Sequence, residues 1–293
     1  MGFQSTWPWM LLALSRFFLT ALARECVFTD PEDTFFYENE DAYYAFDGCS
    51  TIVAETINIS PIYDRLYLPD VINITGIINV SHWTERFGYP SMPAIEMPNL
   101  EYLGALRVRN VTALQNITMP KLKEVTGNID INASYERLLL DFWSLKRAPA
   151  IRVVGRLDEL NFDSLQMVDN DLIITNCGAC DTDWEGTDAL LQREDGLVLS
   201  FRSLVSVGCI KISGYLRTIG VANLVSAGPP TNPGDSKLST DSGARFYLTQ
   251  VMGLFSLNLT KLESVDKQLY IWGKMGGYVA RFTICYVLLT MCC

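Results

Sequence analysis

The chain holds a single histidine, His82, carries charge on only 19% of its residues and has no run of lysines or arginines. His82 lies in the polar stretch Ser81-His82-Trp83-Thr84-Glu85, where a surface position is expected. One imidazole cannot drive a Ser/His/Asp or Cys/His mechanism unless a nucleophile and an acid from elsewhere converge on it. Phosphate-cradling loops of the Gly-x-Gly-x-x-Gly or Walker type are missing, as is an Asp-x-Asp-x-Asp-Gly calcium loop. The net charge of -10, with basic residues few and scattered, leaves nothing to neutralise phosphates, so neither nucleic acid nor an anionic membrane surface is an expected partner. Helix-period patterns are nearly absent outside an apolar run at the N-terminus.

What the chain has is a repeat. Its clearest copy reads Pro120-Lys-Leu122-Lys-Glu-Val125-Thr-Gly127-Asn-Ile129-Asp-Ile131-Asn132. The same spacing returns at Leu100, Leu103, Leu106 and Val108; at Leu165, Val168, Leu172 and Ile174; at Leu204, Val207, Ile210 and Ile212; and at Leu262, Val265, Leu269 and Ile271. First-leucine positions fall at 100, 122, 145, 165, 204, 224 and 262, so most steps are 20 to 23 residues and two are nearly doubled, by insertions or by degenerate coils. A unit of that size cannot bury its apolar side alone and must stack on its neighbours. The Ile-x-Ile ending has the period of a short strand with one face buried. Asn110, Asn132, Asn176, Ser213 and Gly273 follow these strands and are expected in turns. Stacked strands would form a long parallel sheet over a narrow core, the alternative being unrelated strands in an ordinary α/β domain. Outward residues (Arg107, Arg109, Asn128, Asp130, Asn132, Lys211, Ser213) mark the expected working face.

Residues 1–23 read as a secretory signal peptide: apolar runs Trp9–Leu14 and Phe17–Ala23 end in the small-residue pattern Ala21-x-Ala23. Arg16 interrupts the run, so a signal anchor or a misplaced start is the competing reading. Seven of the 15 asparagines head an Asn-x-Ser/Thr triplet (Asn58, Asn73, Asn79, Asn110, Asn116, Asn132, Asn258), where roughly two would arise by chance. Asn110 and Asn132 are expected to share one turn register, so that their sugars would line one ridge. Cys26 and Cys49 bracket segment 24–60, where the exposed first coil needs a cap, and a disulfide there closes a 24-residue loop.

Three motifs suggest chemistry and lack its supports. Cys177-Gly-Ala-Cys180 has redox or zinc spacing, but no second Cys-x-x-Cys follows; a structural disulfide from Cys177 or Cys180 to Cys209 is the expectation. Acidic residues gather at Asp30, Glu32, Asp33, Glu38, Glu40 and Asp41, and again at Asp181, Asp183, Glu185 and Asp188; solvated surface is expected rather than a glycosidase pair or a cation site. A β-helix polysaccharide lyase or hydrolase would need Asp, Arg, Lys or His at matching positions on adjacent coils, and no such column is legible. No catalytic residue, cofactor or metal is expected.

The segment Phe46-Asp-Gly-Cys49-Ser-Thr-Ile52-Val-Ala-Glu-Thr-Ile57-Asn-Ile59, followed by the leucine repeats, resembles the fungal receptor L-domain proteins of the cell-wall organisation and sporulation-specific family. Ala54-Glu55 stands where that family usually has glycine. The resemblance covers residues 26 to 273 and implies a mainly β, leucine-rich, right-handed parallel β-solenoid (L domain, 61–273). It also implies a glycoprotein at the outer plasma membrane or cell wall, attached by a glycosylphosphatidylinositol anchor, with wall polysaccharide or other surface proteins as partners and no known reaction. Residues 274–293 depart from the family: Arg281 interrupts the apolar tail and the polar spacer of an anchor signal is missing. Gly273-Lys274-Met275 is encodable as GGT-AAG-ATG, with a splice-donor-like GTAAG, so the expectation here is a truncated or mispredicted gene end. A ligand-binding receptor ectodomain is a further alternative.

Overall fold

The computed structural model describes residues 24–30, 35–36, 45–60, 65–81, 92–176, 196–228, 246–254, 256–275 and 278–288. These residues form strands and turns, with no helix among them. In chain order the strands are β1 (Arg24–Val27), β2 (Phe35–Phe36), β3 (Cys49–Val53), β4 (Thr56–Ile59), β5 (Arg65–Tyr67), β6 (Asn73–Ser81), β7 (Ala94–Glu96) and β8 (Tyr102–Arg109). Then come β9 (Asn116–Thr118), β10 (Glu124–Val125), β11 (Asn128–Asp141), β12 (Arg147–Ala148), β13 (Ala150–Asn161), β14 (Met167–Asn176) and β15 (Leu197–Ser200). The last are β16 (Ser206–Gly220), β17 (Ser226–Ala227), β18 (Phe246–Leu254), β19 (Ser256–Asn258), β20 (Ser264–Met275) and β21 (Tyr278–Leu288).

Each strand pairs in parallel with the strand one repeat away, and the pairs fall into three ladders. The first runs β1, β3, β6, β8, β10, β12, β14, β16, β17, β20. It carries the second apolar residue of the repeat, such as Leu103, Val125 and Val168. The second ladder runs β2, β4, β6, β8, β11, β13, β14, β16, β18, β20 and carries the Ile-x-Ile strands. A third joins β5, β7, β9, β11 and β13, and separately β15, β16 and β19. One chain pass therefore crosses three sheet faces before meeting its own previous pass. Among the described residues the one antiparallel pairing is β20 with β21.

The repeat leucines are the core. Leu100, Leu122, Leu145, Leu165, Leu204 and Leu224 are fully buried, as are Ile129, Ile131, Leu172, Ile174, Ile210 and Ile212. Each such side chain contributes roughly 1.5–3 kcal/mol of apolar burial before chain entropy is counted. A turn closes ahead of every first leucine, its amide donating three residues back: Leu122 N to Met119 O at 3.1 Å, Leu145 N to Phe142 O at 3.0 Å, Leu165 N to Phe162 O at 3.0 Å. Cys49 N to Phe46 O, 3.0 Å, repeats this geometry, so Cys49 stands in a leucine's place.

The acceptor residue of that turn forms a column of its own that periodicity did not single out. Phe142, Phe162 and Phe201 are fully buried and stacked along the coil axis, with ring centroids 5.4 and 6.1 Å apart. Preceding coils place Leu68, Met97 and Met119 there, and the next places Val221.

The two nearly doubled repeat steps are insertions, not degenerate coils. Leu172 pairs directly with Ile210, so residues 177–195 lie within one coil; β17 and β18 both bridge β16 to β20, which puts 229–245 within another. Segment 24–60 holds two coil layers, since β1 pairs with β3 and β2 with β4. The expected turn positions are mostly strand: Asn132, Asn176, Ser213 and Gly273 lie in β11, β14, β16 and β20. Asn110 alone of the five has a left-handed backbone, φ 57°. Asn132 pairs with Arg109, one position away from the shared register expected of it with Asn110, because β11 continues through the corner on an irregular stretch between Ala133 and Arg137.

Candidate functional site

The outward side of the second ladder carries the residues expected to form the working face. Arg107, Arg109, Asn128 and Lys211 are exposed, Asp130 and Asn132 half-buried. Ser213 departs from expectation: it is buried and donates from Oγ to Thr175 Oγ1 at 3.1 Å. Register places Arg107, Asp130 and Arg152 in one column on three successive coils. That is a charged column of the kind sequence inspection did not find. Asp130 accepts from Arg109 Nη2 at 2.6 Å and from Arg152 Nη1 at 3.2 Å, so one carboxylate clamps two coils.

Beside this column the corner between the first and second ladders sinks into a groove of about 670 Å³, lined by Glu55, Arg107, Arg109, Asn128 and Asp130 over a floor of Gly76, Gly104 and Gly127. The floor is glycine because the main chain of neighbouring coils is too close for a side chain. A Cβ on Gly76 would lie 1.9 Å from Ala54 O, and one on Gly104 would lie 2.3 Å from Gly76 O. Ala54 lines the same groove, its carbonyl oxygen facing Gly76.

Other charged pairs also join coil to coil on the surface. Lys123 Nζ donates to Glu101 at 2.6 Å, and that hydrogen bond holds the ammonium above its usual range. Arg147 makes a forked contact with Asp169 at 3.1–3.3 Å. Such exposed pairs are weakened by solvent and salt, so they tune the stacking rather than cause it.

The glycosylation triplets are not equivalent. Asn110 and Asn258 are exposed. Asn258 accepts from Thr260 N through Oδ1 at 3.2 Å, a bond that does not involve its amide nitrogen. Asn73, Asn116 and Asn132 are half-buried, and Asn116 Oδ1 accepts from its own triplet's Thr118 Oγ1 at 2.6 Å. Asn58 and Asn79 are more than nine-tenths buried, and Asn79 Nδ2 donates to Asn58 Oδ1 at 2.7 Å. A sugar on Asn79 would occupy the nitrogen that makes this bond. All seven share the same triplet; burial separates them.

Cys26 and Cys49 form a disulfide with Cα atoms 5.8 Å apart, joining the first coil layer to the second. Cys209 is half-buried in β16, opposite Asp171. Cys177 and Cys180, His82, and the acidic residues Glu32, Asp33, Glu38, Glu40, Asp41, Asp181, Asp183, Glu185 and Asp188 lie outside the described residues, so the pairing expected for Cys209 does too. Asp30 is exposed. Among the described residues no three His, Cys, Asp or Glu side chains gather as a metal set, and no helix is long and apolar enough to cross a membrane. Compared with protein-family models, curated proteins and solved structures, the chain has no match.

Proposed function

We propose that the chain is a secreted, N-glycosylated, non-enzymatic surface protein that contributes to fungal cell-wall organisation, built as a leucine-rich, right-handed β-solenoid of the receptor L-domain kind. The observation that carries the reading is the continuous parallel pairing of the second ladder from β4 to β20, together with the Cys26–Cys49 disulfide that joins the first two strands of the first ladder. A stacked scaffold of this kind offers an extended, rigid surface suited to binding polymers or other proteins. The disulfide belongs to an oxidising compartment and the excess of triplets to a glycosylated chain. The ion-paired outward face supports adhesion rather than bond cleavage. Membrane attachment, in this reading, runs only through a lipid anchor.

Expression of the tagged chain in a fungal host tests it. The expected result is a mature protein beginning at Arg24, carrying endoglycosidase-sensitive sugars, recovered in the wall or at the outer plasma membrane, and releasing no reducing ends or unsaturated products from β-glucan, chitin, mannan or pectin. Retention in the cytosol would refute the extracellular reading. Product release that disappears on mutating acidic residues would establish the rival β-helix enzyme.

A further inference from the structure

The third ladder is broken at one place. β13 pairs on this face with β11, and β15 pairs with β16, but no pairing joins β13 to β15 among the described residues. At the corner leading into the break, Asn176 substitutes for a strand. Its Oδ1 accepts from Leu157 N at 3.0 Å and its Nδ2 donates to Tyr215 O at 2.7 Å, holding together two coils that the main chain does not connect there. Beside this break, between β13 and β15, lies a second groove of about 600 Å³.

The lining of this groove differs from that of the glycine-floored one. Trp143 stands at its edge, 52% exposed, at the position that other coils fill with Pro69, Pro98 or Pro120. Its backbone is set by a hydrogen bond from its amide to Asp141 Oδ1, the same oxygen that accepts from Asn161 Nδ2. Val198, 54% exposed, adds a second apolar surface. Around these two lie Glu159, Asn161, Asp163 and Arg217, planar polar groups on or next to β13 and β16.

We infer that this groove binds a neutral polysaccharide chain lying along the coil axis, with one sugar ring stacked on Trp143. A pyranose ring has an apolar C–H face and an equatorial rim of hydroxyls. An exposed indole meets the first, and carboxylate, amide and guanidinium groups pair with adjacent hydroxyls on the second. A few fixed polar groups around an apolar platform is the usual make-up of a small-ligand site. Asp158, Glu159 and Asp163 outnumber Arg217 and Arg202, the latter paired with Asp163 at 3.9 Å, so the site carries a small negative excess that disfavours an anionic glycan. This inference deepens the proposed surface function, which would gain a polysaccharide ligand from it, and it can fail alone.

The test uses the full secreted chain, titrated by calorimetry with β-glucan, chitin and mannan hexasaccharides and with an oligogalacturonide as the anionic control. Saturable binding of at least one neutral hexasaccharide is expected, weakened about tenfold or more by Trp143→Ala and unchanged by Tyr102→Ala, an exposed aromatic on the first ladder. Circular dichroism of both variants checks that they fold. The inference is overturned if no neutral glycan binds, if Trp143→Ala leaves the affinity unchanged, if the anionic control binds as well, or if only a cationic peptide occupies the groove. A wall-localised protein that fails this titration refutes the glycan site alone; a cytosolic protein that passes it refutes the extracellular reading alone.

Discussion

Replacing Phe162 with alanine removes the central ring of the stacked column, which touches Phe142 on one side and Phe201 on the other at centroid distances of 5.4 and 6.1 Å. The site is fully buried, so the substitution leaves a cavity that the surrounding coils can only partly close. Core Phe→Ala changes of this kind cost about 3–5 kcal/mol. Phe162→Leu refills much of the volume and isolates the ring contacts: two pairs at about 0.5–1.5 kcal/mol each give an expected loss of about 1–3 kcal/mol. A double-mutant cycle between Phe142→Leu and Phe162→Leu should then return a coupling of about 0.5–1.5 kcal/mol. The assay is urea unfolding followed by far-ultraviolet circular dichroism. Because each coil contacts only its neighbours, Phe162→Ala should also lower the cooperativity of the transition, the defect separating the coils on either side. A cost for Phe162→Ala below about 1 kcal/mol, the range of surface substitutions, would refute a stacked core at this position.

Three further sets of substitutions probe the register, the cap and the surface pairs. Alanine at Gly76, Gly104 and Gly127 should destabilise in that order, because the added Cβ would lie 1.9, 2.3 and 2.9 Å from a carbonyl oxygen of the adjacent coil; thermal unfolding of the three variants checks the ranking. Cys26→Ser with Cys49→Ser, which opens a bridge of sequence separation 23, should cost about 3 kcal/mol in chemical denaturation, the amount lost on reducing the wild type. Asp130→Asn removes the carboxylate shared by Arg109 and Arg152 and should cost no more than about 1–2 kcal/mol at low ionic strength; at molar salt, where charges are screened beyond about 3 Å, the difference should nearly vanish.

The core of this fold was legible because its chemistry is periodic. Leu122, Val125, Ile129 and Ile131 repeat at fixed spacing, and each is at most 1% exposed. The phenylalanine column was not legible, since its position is filled by leucine and methionine in the preceding coils and by valine in the next; what unites those residues is a turn hydrogen bond, which leaves no mark on residue type. Cys49 hid in the same way, a disulfide cysteine in a leucine's place. The turn residues misled because a stacked strand can pass through a corner without breaking, as β11 does around Ala133, so that Asn132 pairs with Arg109 rather than turning with Asn110. Both grooves depend on contacts between coils. The charged column Arg107, Asp130, Arg152 becomes visible only once the register is known, and the Trp143 groove only once the break between β13 and β15 is.

Glycopeptide mapping of the secreted chain, with enzymatic deglycosylation in heavy-oxygen water to mark each occupied asparagine, tests the central claim of a glycosylated extracellular protein with this coil register. The account predicts a mature chain starting at Arg24, sugars on Asn110 and Asn258, and none on Asn79, whose amide nitrogen is bonded to Asn58 inside the fold. A chain with no sugar at any of the seven triplets would contradict the extracellular reading, and a folded chain with Asn79 occupied would contradict the register.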